Sequence, residues 1–178
     1  MSEIPRGRSE THDGDTHLLR FVVELPHPLP EVWAAVASPE GLPGWLGEAD
    51  PLEPRLGGRV TLRRLDADTE VSGRVTAWDP DYVAEYTVEP TTLGRIRFHL
   101  EQGPSGGGGS TVLRFTNEVR GSREYRLDCL ARWHDHFELL AEALDGRPTD
   151  WREWTPERWR HLRELYEREA APWPKWEP

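Results

Sequence analysis

Hydrophobic and polar positions alternate with a period of two over much of this chain, and then switch to a period near 3.6. Leu19, Phe21, Val23 and Leu25 alternate with more polar neighbours from His17 on, which predicts a half-buried strand ended by Pro26 and Pro28. Pro30 opens a helix whose apolar face carries Val32, Trp33, Val36 and Ala37. Ser38-Pro39-Glu40 reads as a second helix start, with a Ser cap and an acid in the first turn, and Gly41, Pro43 and Gly44 keep that helix short. Strand patterns follow at Val60–Arg64, Val71–Ala77, Tyr82–Val88, Ile96–Leu100 and Val112–Thr116, the last two joined by a Gly-rich hairpin over 103–109. From about Tyr125 to Leu144 the period is helical, with Leu127, Leu130, Trp133, Phe137, Leu140 and Leu144 in one arc closed by Gly146 and Pro148. A last helix starts near Thr155 and carries Trp159, Leu162, Leu165 and Tyr166.

Strands in hairpins with helices gathered on one face make an α+β domain, in which a bent sheet wraps around a long helix. Residues 1–16 hold almost no apolar side chains and read as a mobile tail, 17–150 as the folded domain, and 151–178 as a Trp-rich helical extension. The Trp–Leu–Tyr face of that extension must be covered, either by its own domain or by a second copy of the chain. The chain is expected to be a monomer or a homodimer.

Composition narrows the function. Lys and Arg number 22 against 32 Asp and Glu, a formal charge of −10, which argues against a nucleic-acid or membrane-surface partner. A single cysteine, Cys129, excludes an intrachain disulfide and a Cys-based zinc cluster. No apolar run approaches the ~20 residues of a membrane span, and no signal-peptide pattern is visible, so a cytoplasmic location is expected.

The chemistry-bearing residues are sparse. His134 and His136 are two apart on the long helix and so face different ways, which leaves no metal-ligand spacing. No Gly-x-Ser-x-Gly elbow or other nucleophile–base pattern is present, so neither a cofactor nor a catalytic set is expected. Arg64 shares the parity of Val60 and Leu62, so it is the best-placed cation for an anionic ligand head; Asp66, Asp68 and Glu70 read as a solvated hairpin tip. His134, at the edge of the apolar arc, is the histidine expected at a cavity.

Several short motifs occur in a telling order. Pro30-Glu31-Val32-Trp33 is followed by Ser38-Pro39-Glu40, Leu42 and Trp45, then by Leu56-Gly57-Gly58-Arg59 and Gly73-x-Val75. Further on come Gly109-Ser110-Thr111-x-Leu113, Thr116-x-Glu118, Trp133-His134-Asp135-His136 and Leu144-Asp145-Gly146-Arg147-Pro148. Over residues 18–151 this series resembles the activator of heat shock protein 90 ATPase homologue branch of the START-like superfamily (SRPBCC, Bet v 1-like). The segment from Trp151 is longer than the usual end of that family, and the N-terminal half of the eukaryotic activator has no counterpart. The resemblance implies a helix-grip fold: a bent antiparallel sheet around a long C-terminal helix, two short helices after the first strand, and here an extra C-terminal helix. It also implies a cavity between sheet and helix that holds a small apolar or amphipathic ligand. The residues expected around that ligand are Trp33, Trp45, Leu62, Arg64, Val75, Phe98, Trp133, His134 and Phe137. The resulting reading is a non-enzymatic small-molecule-binding protein; the alternatives are a polyketide cyclase/aromatase-like enzyme and a co-chaperone-like protein-binding module.

Overall fold

A computed structural model describes residues 3–67, 69–89, 93–104 and 107–170. Eight strands form one antiparallel sheet: β1 (Arg8–His12), β2 (Thr16–Leu25), β3 (Gly47–Leu52), β4 (Arg59–Arg64), β5 (Thr69–Asp79), β6 (Val83–Glu89), β7 (Gly94–Gln102) and β8 (Thr111–Arg120). Their order is β1-β2-β8-β7-β6-β5-β4-β3, so the pairing of β2 with β8 joins the start of the domain to its last strand. Three helices complete it: α1 (Leu29–Ala37), α2 (Arg123–Leu144) and α3 (Glu157–Ala170).

The period-two pattern does what it predicts. Leu19, Phe21, Val23 and Leu25 are buried, while Arg20, Val22 and Glu24 between them face solvent. The register sets Phe115 opposite Phe21 on one side and opposite Phe98 on the other, so three rings line up across the inner face of the sheet. Two glycine motifs have steric causes. Gly57 takes φ +79°, a left-handed turn position, and a Cβ on Gly73 would sit 1.9 Å from the Thr87 carbonyl oxygen. The sheet grips α2, which Ser122 caps by accepting the Tyr125 backbone N–H.

Two local expectations are corrected. Ser38 does not start a helix; it closes α1, its hydroxyl donating to the Ala34 carbonyl and accepting from the Gly41 N–H. Only a single 3₁₀ turn, Leu42–Gly44, follows. The reading of residues 1–16 as a mobile tail also fails. Residues 8–12 form β1 and pair with β2 from Arg8↔Arg20 to His12↔Thr16, Ile4 is buried, and the Gly7 N–H donates to the Tyr166 hydroxyl at 2.9 Å. An edge strand exposed on both faces is held by backbone hydrogen bonds, so its side chains need no apolar pattern. Removal of residues 1–12 is therefore expected to cost about 2 kcal/mol or more, from Ile4 burial and the β1 ladder. Urea denaturation checks this; an unchanged midpoint would return the segment to a dispensable tail.

The C-terminal extension docks within its own chain. α3 lies on the face of α2 turned away from the sheet, with Leu162 and Tyr166 buried there and the Trp159 indole donating to the Asp128 carbonyl. Trp173 and Trp176 lie outside the described residues. Among the described residues no helix is long and apolar enough to cross a membrane.

Candidate ligand-binding site

The space between sheet and α2 is largely filled. Trp45, Phe98, Phe115, Trp133 and Phe137 form a continuous ring cluster, with Phe115 and Trp133 centroids 4.5 Å apart and Trp45 stacked on Phe137 at 6.1 Å. The polar ends of these groups are satisfied internally. The Trp45 indole donates to the Ala35 carbonyl at 2.8 Å, the Tyr86 hydroxyl to that of Val36 at 3.0 Å, and the Trp133 indole to Asn117 Oδ1 at 2.9 Å. Trp45, Val75, Phe98 and Phe137, expected at a ligand, are thus packed as core. The ligand-sized cavity expected in this region is absent among the described residues because large rings occupy its volume.

What is left is a void of about 20 Å³, room for one water, at the α2 end of β4. Leu46, Leu62, Leu93 and Trp133 form its apolar wall, and Arg63, Arg64, Arg132 and His136 its polar one. The inward parity of β4 delivers Leu62 and Arg64, and the chain then carries Asp66 inward as well. The Arg64 guanidinium donates to Asp66 Oδ2 at 2.7 Å, and the two side chains are only 11% and 4% exposed. His136 Nε2 stands 3.8 Å from the same oxygen.

The hydrogen bonds fix the state of this histidine. His136 Nδ1–H donates to the Arg132 carbonyl at 2.8 Å, so in the neutral ring Nε2 carries the lone pair. Burial pushes its pKa down, with the Asp66 carboxylate opposing. Asp66 Oδ1 and His136 Nε2 are buried with no hydrogen-bond partner among the described residues. Burial lowers the pKa of Arg132, with Arg64 adding to the effect. Arg64 pairs with the carboxylate, while the Arg132 guanidinium lies over the Trp159 ring, 5.9 Å from its centroid, and acts on Asp66 only through its charge, leaving an excess of positive charge and two unused acceptors.

The other expected residues lie elsewhere. His134 faces α3, not the sheet: its Nδ1 is hydrogen-bonded to the Tyr166 hydroxyl at 2.9 Å, and burial lowers its pKa to about 4. Trp33 is half-buried against Trp78, centroids 5.1 Å apart, and does not reach the void. Of the nine residues, Leu62, Arg64 and Trp133 meet at the chamber. Asp66, Arg132 and His136 were missed; extending the β4 parity by one step would have found Asp66. Cys129 is buried, and burial raises its thiol to about 11, so it is protonated at neutral pH. Among the described residues no three His, Cys, Asp or Glu side chains converge as metal ligands.

Beside His134 on the α3 side, Asp135 is 3% exposed, and burial followed by Glu138 raises its carboxyl from 3.8 to about 6, while Trp154 and Arg158 pull the other way. The folded state thus holds this proton more tightly than the unfolded chain, so the group's contribution to stability is present below about pH 4 and is lost as pH rises through about 6. Asp135→Asn is expected to be more stable than the parent by about 1–3 kcal/mol at pH 7.5, with the gap closing below pH 4. A gap that does not change between pH 4 and 7.5, in urea titrations at several pH values, would contradict this.

A bent eight-stranded sheet gripping one long helix, with a buried polar chamber at one end of the grip, defines a helix-grip α+β protein. The chain belongs to the family described as Activator of Hsp90 ATPase homolog 1-like protein, whose model matches residues 26–145. No curated protein matches it. Among solved structures it is similar to CalU16 from Micromonospora echinospora, at 17% identity over 96% of this chain and 99% of that one, with a TM-score of 0.68. EF2215 from Enterococcus faecalis, a conserved protein of unknown function, matches at 14% identity over 93% and 90%, with a TM-score of 0.69. DynU16, from the dynemicin biosynthetic locus, matches at 22% identity over 74% of this chain and 48% of its own, with a TM-score of 0.58.

Proposed function

We propose that the protein binds a small amphipathic molecule by its anionic or hydrogen-bonding head at the chamber between β4 and α2. The observation that carries this is the buried, unpartnered His136 Nε2 at a void walled by Leu62, Arg64 and Trp133. A buried acceptor without a partner costs free energy that a bound donor recovers. A carboxylate or acidic hydroxyl meets Arg64 and Arg132, and a hydroxyl proton meets His136. The void is one water in size in this conformation, so binding includes parting of the apolar wall to admit the ligand's body.

A second reading has its own support. His136 and Asp66 form a buried acid–base pair beside two cations, and DynU16 belongs to a biosynthetic locus, so a cyclase-like proton transfer on the bound ligand is the alternative. Native mass spectrometry of freshly purified protein tests the binding reading. The expected result is a small-molecule adduct on the parent that His136→Phe and Arg64→Gln do not carry. An adduct carried in full by both variants would move the ligand away from the chamber. Turnover by the parent, lost in His136→Gln with the adduct retained, would favour the enzyme.

A further inference from the structure

A cleft lies on the opposite face of α2 from the sheet. It measures about 560 Å³, within the range of pockets that take a drug-sized molecule. The N-terminal segment, the end of β2, α2 and α3 wall it, so it exists because of the C-terminal extension and the ordered N-terminal residues. Ile4, Leu139, Leu162 and Leu165 give it an apolar lining.

Its polar groups are set unequally. Three rim acids are matched within the protein: Glu138 takes both the Nε–H and an Nη2–H of Arg158, at 2.7 and 2.9 Å, Glu142 takes Arg147 at 2.6 Å, and Asp145 takes His27 at 2.8 Å. Asp135, also lining the cleft, is different. It is only 3% exposed, and its Oδ2 has no hydrogen-bond partner among the described residues. Arg158, the cation nearest in sequence on α3, is already committed to Glu138. Next to Asp135 is His134, whose Nδ1 is hydrogen-bonded to the Tyr166 hydroxyl, and the same hydroxyl accepts the Gly7 N–H.

We propose that this cleft is a second ligand site, separate from the chamber at β4, and that it takes an amphipathic amine. The Trp154 side chain already hydrogen-bonds this carboxylate and the Arg158 charge reaches it, so the ammonium group supplies the donor that Oδ2 lacks and a cation not shared with Glu138, and the apolar body lies along Leu139, Leu162 and Leu165. A ligand with an anionic head would instead meet Asp135 and the acidic rim, so the two sites on the two faces of α2 select heads of opposite charge.

The test compares octylammonium, octan-1-ol and octanoate, three probes with one chain length, on the full chain at pH 7.5. Binding is followed by calorimetry and by the ¹⁵N–¹H indole resonance of Trp154, which lines the cleft. Octylammonium is expected to bind about tenfold more tightly than octan-1-ol and to shift the Trp154 resonance. Asp135→Asn is expected to bring the two within about twofold of one another, while Arg64→Gln, on the other face of α2, leaves the preference unchanged. Leu139→Lys, which places a fixed cation at the cleft wall, gives a second, independent variant, and it is expected to abolish octylammonium binding. Equal binding of amine and alcohol to the parent, an amine preference that survives both substitutions, or an unmoved Trp154 resonance would overturn the proposal. Loss of the amine preference in Arg64→Gln would do so as well, by making the two sites one.

Discussion

Trp133→Ala is expected to destabilise the protein by about 3–5 kcal/mol, the range for emptying a large aromatic site in a core. The ring is 3% exposed and lies against Phe115 and Phe137, at centroid distances of 4.5 and 5.9 Å. Its indole also donates to Asn117 Oδ1, whose amide in turn holds the Leu93 and Arg95 carbonyls. Truncation therefore removes packing and leaves a buried acceptor unpaired at the wall of the chamber. Trp133→Phe keeps most of the ring volume and loses the hydrogen bond, so about 1–2 kcal/mol is expected for it. Urea denaturation of both variants measures the difference. A cost under about 1 kcal/mol for the alanine variant would mean that α2 presents another face to the sheet.

The second large effect comes from ending the chain after Asp150. The cut removes Leu162 and Tyr166, each buried to within a few per cent, at about 1.5–3 kcal/mol apiece. It also removes Arg163, which bonds Asp128 at 2.7 Å and reaches Glu124, and Arg158, which clamps Glu138. It uncovers His134 and Asp135 as well. A loss of about 3–6 kcal/mol is expected, with new binding of a hydrophobic dye, and with a monomer in sedimentation before and after the cut. A full-length dimer that the cut converts to a stable monomer would show that the α3 face serves a second copy of the chain instead.

These outcomes bear on how far the sequence speaks for the structure. The inner face of β2 and β4 is plain from alternation because one face of each strand is buried and the other wet. β1 gives no such signal, since both its faces are wet and only its backbone is engaged. The helical arc of α2 correctly turns Leu130, Trp133 and Phe137 to the sheet, yet residues 133–137 are all buried. A second helix covers the other side, and periodicity measured against one partner cannot show that. This is why His134, read as a cavity residue, belongs to the α3 side, and why His136 and Asp66 were passed over. Asp66 looked like a solvated turn residue because a hairpin tip is normally wet; here α2 and Arg64 close over it. Trp33 sits on an apolar helical face, but that edge meets Trp78 and not the chamber.

The measurement that bears most directly on the chamber is a titration of the parent protein with octanoate, followed by the Trp133 indole resonance and the His136 ring ¹⁵N resonances. Binding at Arg64 and Arg132 predicts saturable shifts of both groups, with His136 Nε2 and the Trp133 N–H moving together, and about a tenfold loss of affinity in Arg64→Gln. Resonances of Trp133 and His136 that stay fixed while octanoate binds, or affinity unchanged by Arg64→Gln, would contradict it.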